Sequence, residues 1–592
     1  MPVELAELTK LVLGVCILTI PGYLWSFLFA KQLTSLERCV FGFLVSLVVL
    51  TCGIFFFNTV FIIKITQSVI LLLFATYTIP ALILYGISLK KSGIPKIGFQ
   101  PLKNKKYLLL LLILAFSVFM AFLPHLTNNY YLPFHVDEWE HFTFSRAVIE
   151  TGSTTFANPY TGEGMSFHPE IGFQVASGCL HWISGADLLT IFVFMPSVLI
   201  VFLSLTAFNI GERATRKFGL EAAFLVAFIP TTVRFLGPSF YVAITLGLVL
   251  LLFIIWLGQL KTIQGAFFIA GFILCLFIIH PPTALAAMLI LLLYTVFLII
   301  EKQYKIAGVI GLLTVLPLLP IYYLTTRWNS TFEVVLQAVS GQEYLLDLNL
   351  PKIWVNFEHL GLVTWACFAI GAYFCFSKGR ALLRTLCVSA LMFLIVIGVY
   401  DKFGYGIPII YERSFLYLFL LVAIVAGVGL SELRKTLQQF TEKTRVKRAS
   451  KTIGLLVPLI VGLILISTAV PAHQNISYYQ MITDQDYESF TWINTHINDY
   501  RNANHTYDRV AVDPFIASPF TAITGVHTIS SSMSPLYGYE LHTEMDKFMR
   551  EKCTNTSFLK KYNIGVVYGA CINNNLTMIH PNVYLYPGLY TE

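Results

Sequence analysis

The residues that could do chemistry are concentrated in one hydrophilic stretch, residues 134–170 of the 592-residue chain. Only 12% of the whole chain is charged, so this concentration of titratable groups is unusual. A carboxylate in such a stretch can accept the proton of an attacking hydroxyl group. Carboxylates and imidazoles together can instead bind a divalent metal that neutralises a departing phosphate. Among its titratable residues are Asp137, Glu138, Glu140, His141, His168 and Glu170.

These residues divide into candidate catalytic and candidate binding groups. Asp137 and Glu138 are the candidate catalytic residues, but adjacent side chains point in different directions and need not share one task. A structural interpretation of Asp137 is also open. If it is the N-cap of a helix, Glu140 completes a capping-box pattern. That interpretation leaves the other acidic and histidine residues of the stretch unexplained.

The sequence requires no cofactor, but a divalent metal such as Mg²⁺ or Mn²⁺ is compatible with these side chains. The candidate metal ligands are Asp137, Glu138 and His141. The spacing from His141 to His168 matches no known metal signature. His141, His168 and Glu170 are otherwise candidate substrate-binding residues.

The remaining composition predicts a multi-span helical membrane protein. Hydrophobic residues make up 56% of the chain, and the mean hydropathy is +0.73. Apolar runs of about 20 residues recur, which is the length that spans a bilayer as a helix. The net charge of +7 is therefore expected to reflect basic cytoplasmic loops rather than nucleic-acid binding.

Two basic loops set the predicted orientation. Residues 90–106 contain six Lys and no acid, and residues 434–451 contain seven Lys or Arg. Both loops are expected to be cytoplasmic. About fourteen predicted spans, among them 220–235, agree with both loops, and they place both termini and residues 134–170 on the outer face.

The predicted architecture is an all-α polytopic membrane domain followed by a small extracytoplasmic α/β domain. The expected divisions are N-terminal helices in 1–106, a transmembrane catalytic domain in 107–470 with an outer loop at 125–186, and a soluble domain in 471–592. A helix at 487–498 and strands at 509–513, 528–532 and 564–568 are predicted in the soluble domain. Cys553 and Cys571, in the same domain, could form a disulfide or remain free thiols.

Several polar residues lie at the predicted outer ends of spans. Arg413 could be satisfied by Glu412 or by a bound phosphate, or its side chain could extend to the membrane interface. Arg234 has the same alternatives. His280 precedes two prolines, Pro281 and Pro282, and is therefore expected at a helix terminus.

The chain resembles the GT-C superfamily of integral-membrane glycosyltransferases. These include the protein O-mannosyltransferases, the lipid A aminoarabinose transferases and the catalytic subunits of oligosaccharyltransferases. The resemblance covers roughly 107–470. It rests on Asp137-Glu138 at the start of an outer loop, on His168-Pro169 before the next helix, and on the soluble outer domain. Residues 411–418, with the sequence YERSFLYL, look like the place where related transferases put an Arg that faces the carrier phosphate.

The resemblance implies a glycosyltransferase that moves a monosaccharide from a polyprenyl- or dolichyl-phosphate carrier to a glycan, lipid or protein acceptor. It implies that Asp137 is the essential acid, with Glu138 as its motif partner, and that Arg413 holds the phosphate, with Glu412 and Arg234 as further candidates. The Trp-Trp-Asp motif of oligosaccharyltransferases is absent, which favours transfer of one sugar. The expected location is the outer face of a prokaryotic plasma membrane, with the lumenal face of the endoplasmic reticulum as the alternative.

Two other functional classes remain open. A transporter or flippase could use the outer acids as part of a substrate gate. Transporters usually place charges near the bilayer midplane in broken helices and often have two similar halves, and neither feature is found in this sequence. A non-catalytic scaffold would use its outer domain to bind a partner, and its function would not depend on Asp137.

Overall fold

The computed structural model describes residues 5–29, 32–92, 105–166, 168–214, 217–232, 235–327, 352–443, 447–474, 480–497, 509–531 and 541–587. The chain forms two compact units. We call the first the helical unit, which consists of Met1–Phe56, Gln67–Leu132 and Pro169–Ser477. The second is the mixed unit, which consists of Phe57–Thr66, Pro133–His168 and Tyr478–Glu592.

Long apolar helices make up the helical unit. Its first seven helices are α1 (Leu5–Phe29), α2 (Ser35–Phe61, whose last turn belongs to the mixed unit), α3 (Gln67–Ser92), α4 (Lys105–Asn128), α6 (Ile171–Ser184), α7 (Leu188–Arg213) and α8 (Gly219–Val226). They are followed by α9 (Ala243–Gln259), α10 (Ile263–Ile279), α11 (Pro281–Ile300), α12 (Tyr304–Val315), α13 (Leu318–Arg327), α14 (Val355–Lys378), α15 (Ala381–Phe403), α16 (Pro408–Lys443) and α17 (Lys447–Gln474).

Among the described residues, ten helices are long and apolar enough to cross a membrane. Three shorter apolar helices, Ala243–Gln259, Ile263–Ile279 and Leu456–Pro471, accompany them. The chain is therefore a multi-pass integral membrane protein, as its composition predicts. The expected count of fourteen helical spans is not reproduced, and one reason lies in residues 220–235.

Residues 220–235 were expected to form one spanning helix, but α8 ends at Val226 after eight residues. The segment nevertheless runs alongside α16. Near its start, Glu221 pairs with Arg434 at 2.7 Å, and at its end the Phe235 ring lies 5.1 Å from that of Phe415. These two positions on α16 are about 28 Å apart at the usual helical rise. The described residues of this segment thus lie along about half of α16, and their α-helical part ends at Val226.

After α8, local hydrogen bonds pair several backbone groups in the described part of this segment. The amides of Ala227, Phe228 and Ile229 each donate to a carbonyl three residues earlier, in tight 3₁₀-type turns. Further on, the Phe235 amide donates to the Thr232 hydroxyl group at 2.9 Å, and the Thr232 amide donates to the Phe235 carbonyl at 2.9 Å. Non-helical backbone is tolerated at membrane depth when it is buried in protein and its polar groups are paired.

Close backbone contact joins α14 and α16. Gly429 of α16 lies against the Cys367 carbonyl, and Gly371 of α14 lies against the Val425 carbonyl. A Cβ atom at either glycine would overlap with the opposite backbone. Small residues of this kind allow membrane helices to approach closely without a hydrophobic driving force between them.

The mixed unit contains α5 (Val136–Thr151) and a five-stranded sheet. The hairpin strands β1 (Phe156–Ala157) and β2 (Met165–Ser166) follow α5 and are antiparallel. The remaining elements are α18 (Asp484–His496), β3 (Arg509–Val512), α19 (Ala517–Thr524), β4 (His527–Thr528), α20 (His542–Arg550), α21 (Thr556–Lys561), β5 (Val566–Tyr568), β6 (Thr577–His580) and β7 (Val583–Leu585).

The sheet has the order β4-β3-β5-β7-β6, in which β3 is parallel to β4 and β5 while β7 is antiparallel to β5 and β6. This confirms the predicted α/β region after the last span, with its helix and the strands predicted at 509–513 and 564–568. The strand predicted at 528–532 is instead found at His527–Thr528 and shares only Thr528 with the prediction. A core that contains Ala511, Phe548, Leu559 and Val567 packs beneath the sheet. Cys553 and Cys571, 18 residues apart, form a disulfide within the same core region.

Replacing Gly429 with Ala is expected to destabilise the helical unit, because the added Cβ would push α14 and α16 apart. Overpacking of this kind costs about 1–3 kcal/mol. Gly308→Ala is the matched control, since Gly308 also lies in a helix but a Cβ there meets nothing within 4 Å. Thermal unfolding in detergent measures both variants. Equal melting temperatures for the two would contradict the close packing of α14 and α16.

Candidate active site

The stretch predicted to do chemistry begins α5, and its first turn is closed by a capping box. His135 is the N-cap, with φ −99° and ψ 148°, and its Nδ1 atom accepts a hydrogen bond from the Asp137 amide at 3.1 Å. The Glu138 carboxylate accepts from the Phe134 and His135 amides at 3.0 and 3.1 Å. The sequence suggested a cap at Asp137 with Glu140. That interpretation places the cap two residues too late. The N-cap is His135 and its capping-box partner is Glu138, and these two side chains accept the hydrogen bonds of the amides at the start of α5.

The capping box determines what Asp137 and Glu138 can do. Glu138 is almost fully buried and is occupied by the amides that it caps. The Asp137 carboxylate accepts neither of the two capping-box hydrogen bonds, and its side chain is 22% exposed. One of its oxygens lies 3.4 Å from His135 Nδ1. A carboxylate in the first turn of a helix is stabilised as an anion by the exposed amides and the helix dipole.

Two buried imidazoles lie near Asp137 in the mixed unit. His141, one turn further along α5, and His168, after β2, have ring centroids 5.6 Å apart. His168 also packs on Phe144, with centroids 4.7 Å apart. The charge of Asp137 acts on His168. Asp137, His141 and His168 are therefore brought together, as the sequence suggested, whereas Glu140 is buried on α5.

Burial lowers the pKa of His168 well below its ordinary value, and the neighbouring His141 lowers it further, while Asp137 raises it in part. His168 is therefore a neutral imidazole at neutral pH. A neutral imidazole is able to bind a metal or to accept a hydrogen bond. The two imidazoles of His141 and His168 are donors that suit divalent transition metals.

Contacts from both ends of the chain hold α5 within the mixed unit. Arg146 donates to the carbonyl oxygens of Ala522 and Ile523 at 2.8 Å each, at the carboxyl end of α19. Beyond the end of α5, Asn58 Oδ1 accepts from the amide and the hydroxyl group of Thr154 at 2.9 and 2.7 Å. These bonds fix the helix that carries Asp137 and His141, and nothing in the local sequence indicated them.

A second polar group lies in the helical unit, around Glu170. Glu170 is the N-cap of α6, but its side chain makes no capping hydrogen bond within the described residues. Its Oε1 atom lies 3.5 Å from Nε2 of His280. His280 ends α10 and caps α11, which confirms the predicted helix terminus. No local pattern indicates that His280 contacts Glu170, because the two residues are 110 positions apart.

Arg413 and Glu412 lie in the first turns of α16, and both side chains are 15% exposed. Arg413 Nη1 is 3.8 Å from Glu412 Oε2, which is the pairing that the sequence offered as one alternative. Tyr417, one turn further along α16, lies 2.9 Å from the Thr283 hydroxyl oxygen, which lies 2.6 Å from His280 Nδ1. Tyr417 therefore belongs to the polar group around Glu170 and His280. Arg234, the remaining candidate, lies outside the described residues.

The fold is similar to that of solved membrane transferases, although no protein-family model and no curated protein matches the sequence. The apo oligosaccharyltransferase of Archaeoglobus fulgidus matches with a TM-score of 0.54 at 12% identity, over 80% of this chain and 69% of that chain. Archaeal oligosaccharyltransferase AglB from Archaeoglobus fulgidus, in complex with an inhibitory peptide and a dolichol-phosphate, matches with 0.53 at 12% identity, over 79% and 69%.

A third structure, the Archaeoglobus fulgidus oligosaccharyltransferase in complex with Zn and sulfate, matches with a TM-score of 0.50 at 13% identity, over 78% of this chain and 67% of that chain. At such low identity these matches concern the fold. The chain therefore has the fold of GT-C membrane glycosyltransferases, and the resemblance predicted from the sequence is confirmed at that level.

Replacing Glu138 with Ala is expected to destabilise the start of α5, because the Phe134 and His135 amides lose their acceptor. An unsatisfied buried donor costs about 1–3 kcal/mol. Glu138→Gln keeps one acceptor oxygen and should lose less. Hydrogen exchange of the residues around 134–140 compares the two variants. An Ala variant with normal exchange but no activity would instead assign Glu138 to the chemistry.

The free energy of unfolding is expected to depend on pH through His168. In the unfolded chain a histidine binds a proton below about pH 6.5, whereas folded His168 resists protonation. Stability is therefore retained above that pH and falls below it, by up to about 1.4 kcal/mol per pH unit for one proton. His168→Gln should flatten the dependence of the melting temperature on pH between 6.5 and 5. Parallel curves for the two proteins would contradict the assignment.

Proposed function

We propose that this protein is a GT-C-type glycosyltransferase that moves a monosaccharide from a polyprenyl- or dolichyl-phosphate carrier to a glycan, lipid or protein acceptor. The observation that supports it most is the position of Asp137. Within a fold shared with a dolichol-phosphate-bound transferase, this carboxylate begins a helix whose cap is made by other residues. The transporter alternative offers no reason for that arrangement.

In the proposed reaction, Asp137 is the general base. Its carboxylate accepts the proton of the acceptor hydroxyl group while the hydroxyl oxygen attacks the anomeric carbon of the donor sugar. The bond from that carbon to the carrier phosphate breaks, and the carrier leaves as a polyprenyl phosphate with both bonding electrons. Attack opposite to the leaving phosphate inverts the anomeric configuration.

A divalent metal would suit the two imidazoles of the mixed unit, His141 and His168, which would hold it, whereas Asp137 is assigned the proton transfer. The metal would neutralise the charge of the departing phosphate. Glu138 is a less suitable ligand than the sequence suggested, since its carboxylate already accepts two amide hydrogen bonds. Glu170 follows His168 by two residues and is a further candidate by its position in the sequence. The neutral state of His168 leaves a lone pair for coordination.

Arg413 is proposed to bind the carrier phosphate. Its guanidinium group is mostly buried at the beginning of α16 and lies 3.8 Å from Glu412. At that distance the ion pair is weak, and a phosphate could provide shorter, bidentate hydrogen bonds. The basic loops at 90–106 and 434–451 support an outer-face location for residues 134–170. The membrane is proposed to be a prokaryotic plasma membrane.

Asp137→Asn is expected to lower the rate of sugar transfer by at least about 100-fold, because general-base catalysis contributes about 10²–10⁴-fold. The assay uses purified protein in liposomes with a panel of radiolabelled polyprenyl-phosphate sugars, with and without EDTA. Asp484→Asn is the matched control, since Asp484 is an exposed acid in the first turn of α18, whose cap is made by Thr483 and Asp486.

The outcomes of this assay separate the hypotheses. Loss of transfer in the folded Asp137 variant, with the Asp484 variant active, supports the proposal, and loss on EDTA treatment supports a metal. Normal transfer by Asp137→Asn would disprove the catalytic assignment. If the wild type consumes no donor from the panel, the transporter hypothesis takes precedence.

A further inference from the structure

The mixed unit carries two sequons, triplets of the form Asn-X-Ser/Thr, that have no role in the proposed reaction. The whole chain contains five sequons, which begin at Asn329, Asn475, Asn504, Asn555 and Asn575. The first three lie outside the described residues. The sequons at Asn555 and Asn575 lie within residues 541–587, so the structure shows the surroundings of both asparagines. An N-linked glycan is bulky and requires an asparagine at the protein surface.

Both asparagines present the nitrogen atom to which a glycan would be bonded. Asn555 precedes α21, Asn575 lies in the turn before β6, and both residues are exposed. Among the described residues, neither Nδ2 atom has a hydrogen-bond acceptor. The Asn555 side chain instead accepts, through Oδ1, a hydrogen bond from the Ser557 hydroxyl group at 2.5 Å. Both Nδ2 atoms are therefore open to modification in the folded unit.

The neighbouring Asn573 has the opposite arrangement. Its Nδ2 atom donates to the Cys553 carbonyl oxygen at 2.6 Å, and its Oδ1 atom accepts from the Asn575 amide at 2.9 Å. Asn573 is also not followed by Ser or Thr two residues later. Asn573 thus fixes the backbone of this loop, while the side chain of Asn575 remains at the surface.

A disulfide joins the two segments that carry these sequons. Cys553 precedes Asn555 by two residues, and its partner Cys571 precedes Asn575 by four. Disulfides persist in oxidising compartments on the outer side of the membrane. Glycosylated sequons are likewise a feature of surface loops in secreted proteins. The disulfide and the two sequons therefore indicate the same side of the membrane.

The surface next to Asn555 has room for a sugar. Asn555 and Ser557 line a cavity of about 300 Å³ in the surface of the mixed unit. Charged side chains that can form hydrogen bonds with sugar hydroxyl groups line it as well, among them Lys547, Glu551 and Lys561. A glycan on Asn555 would therefore meet open space and polar partners.

We propose that Asn555 and Asn575 are N-glycosylation sites. The donor is a glycan carried on a lipid phosphate or diphosphate, and a separate membrane transferase of the same cell uses it. Nδ2 forms a bond to the anomeric carbon of the glycan and gives one proton to a base of that transferase. The bond from this carbon to the phosphate oxygen breaks, and the lipid phosphate leaves with the bonding electrons. The inference rests on the proposed outer-face location and is independent of catalysis by Asp137.

The test uses the full chain, produced in cells that attach N-linked glycans to secreted proteins in the endoplasmic reticulum. A secreted protein with a glycosylated sequon, made in the same cells, is the positive control. Peptide-N-glycosidase in heavy-oxygen water converts each glycan-linked Asn to labelled Asp, which mass spectrometry locates in peptides. We expect conversion at Asn555 and Asn575. Asn494, an exposed residue of α18 outside any sequon, should remain unlabelled.

Substitutions of the hydroxyl residues separate the sequon from its asparagine. Thr577→Val preserves the shape of the side chain and leaves Asn575 in place, but it should abolish the glycan on Asn575. Thr577→Ser should retain that glycan. Ser557→Ala should abolish the glycan on Asn555. In each variant the other site should remain glycosylated, which shows that the altered chain still reaches the glycosylating compartment.

Unmodified Asn555 and Asn575 in cells that glycosylate the control protein would overturn the inference, and a single unmodified site would overturn it for that site. Protease added to sealed microsomes then separates the two possible causes, because the lumen is equivalent to the outer face. Protection of residues 541–587 would retain the outer-face location and overturn the inference alone. Cleavage in that region would place the mixed unit on the cytosolic face and overturn the proposed location as well.

Discussion

In an apolar environment, each backbone amide and carbonyl group must find a partner within the protein, and the helical unit depends on this constraint. Most of the chain meets it with helices, whose hydrogen bonds are all internal. The crossing that begins at Glu221 meets it differently. After α8, short turns and the Thr232 hydroxyl group supply the missing hydrogen bonds. The segment is also covered by aromatic side chains, since Phe228 packs on Phe116 of α4 and Phe235 packs on Phe415 of α16.

The same constraint explains where polar residues collect in such an apolar chain. Helix ends carry amides and carbonyls without a partner in the helix, so polar side chains placed there can form hydrogen bonds with them. His135 and Glu138 close the start of α5, His280 closes the start of α11, and Arg146 binds the carbonyls at the end of α19. The polar groups of both units are built around such ends. Residues that cap a helix therefore lie next to residues that are available for chemistry. The two kinds are told apart by whether the side chain already accepts hydrogen bonds from the amides of the helix end.

Hydropathy predicted most of the membrane architecture, because the apolar length of a segment reports whether it can cross. It did not indicate that the α-helix ends at Val226, although Pro230, Thr231 and Thr232 interrupt the apolar run after it. The capping residue was missed because His135 is not among the usual N-cap residues. Strands β6 and β7 were not predicted from the sequence. The link from Glu170 to His280 depends on tertiary structure, which no local pattern encodes.

The mixed unit is built from segments that are synthesised far apart in time. That unit combines the end of α2, residues 133–168 and residues after 477, which the ribosome produces at widely separated times. Helix α5 emerges early, but the carbonyls that Arg146 binds belong to Ala522 and Ile523 and are translated almost 400 residues later. While the intervening helices are inserted, α5 lacks the carbonyl groups of α19 to which it is finally bound. In chains that stop before α19, earlier residues such as Asn58 can still anchor α5, but the carbonyl groups that Arg146 binds are missing.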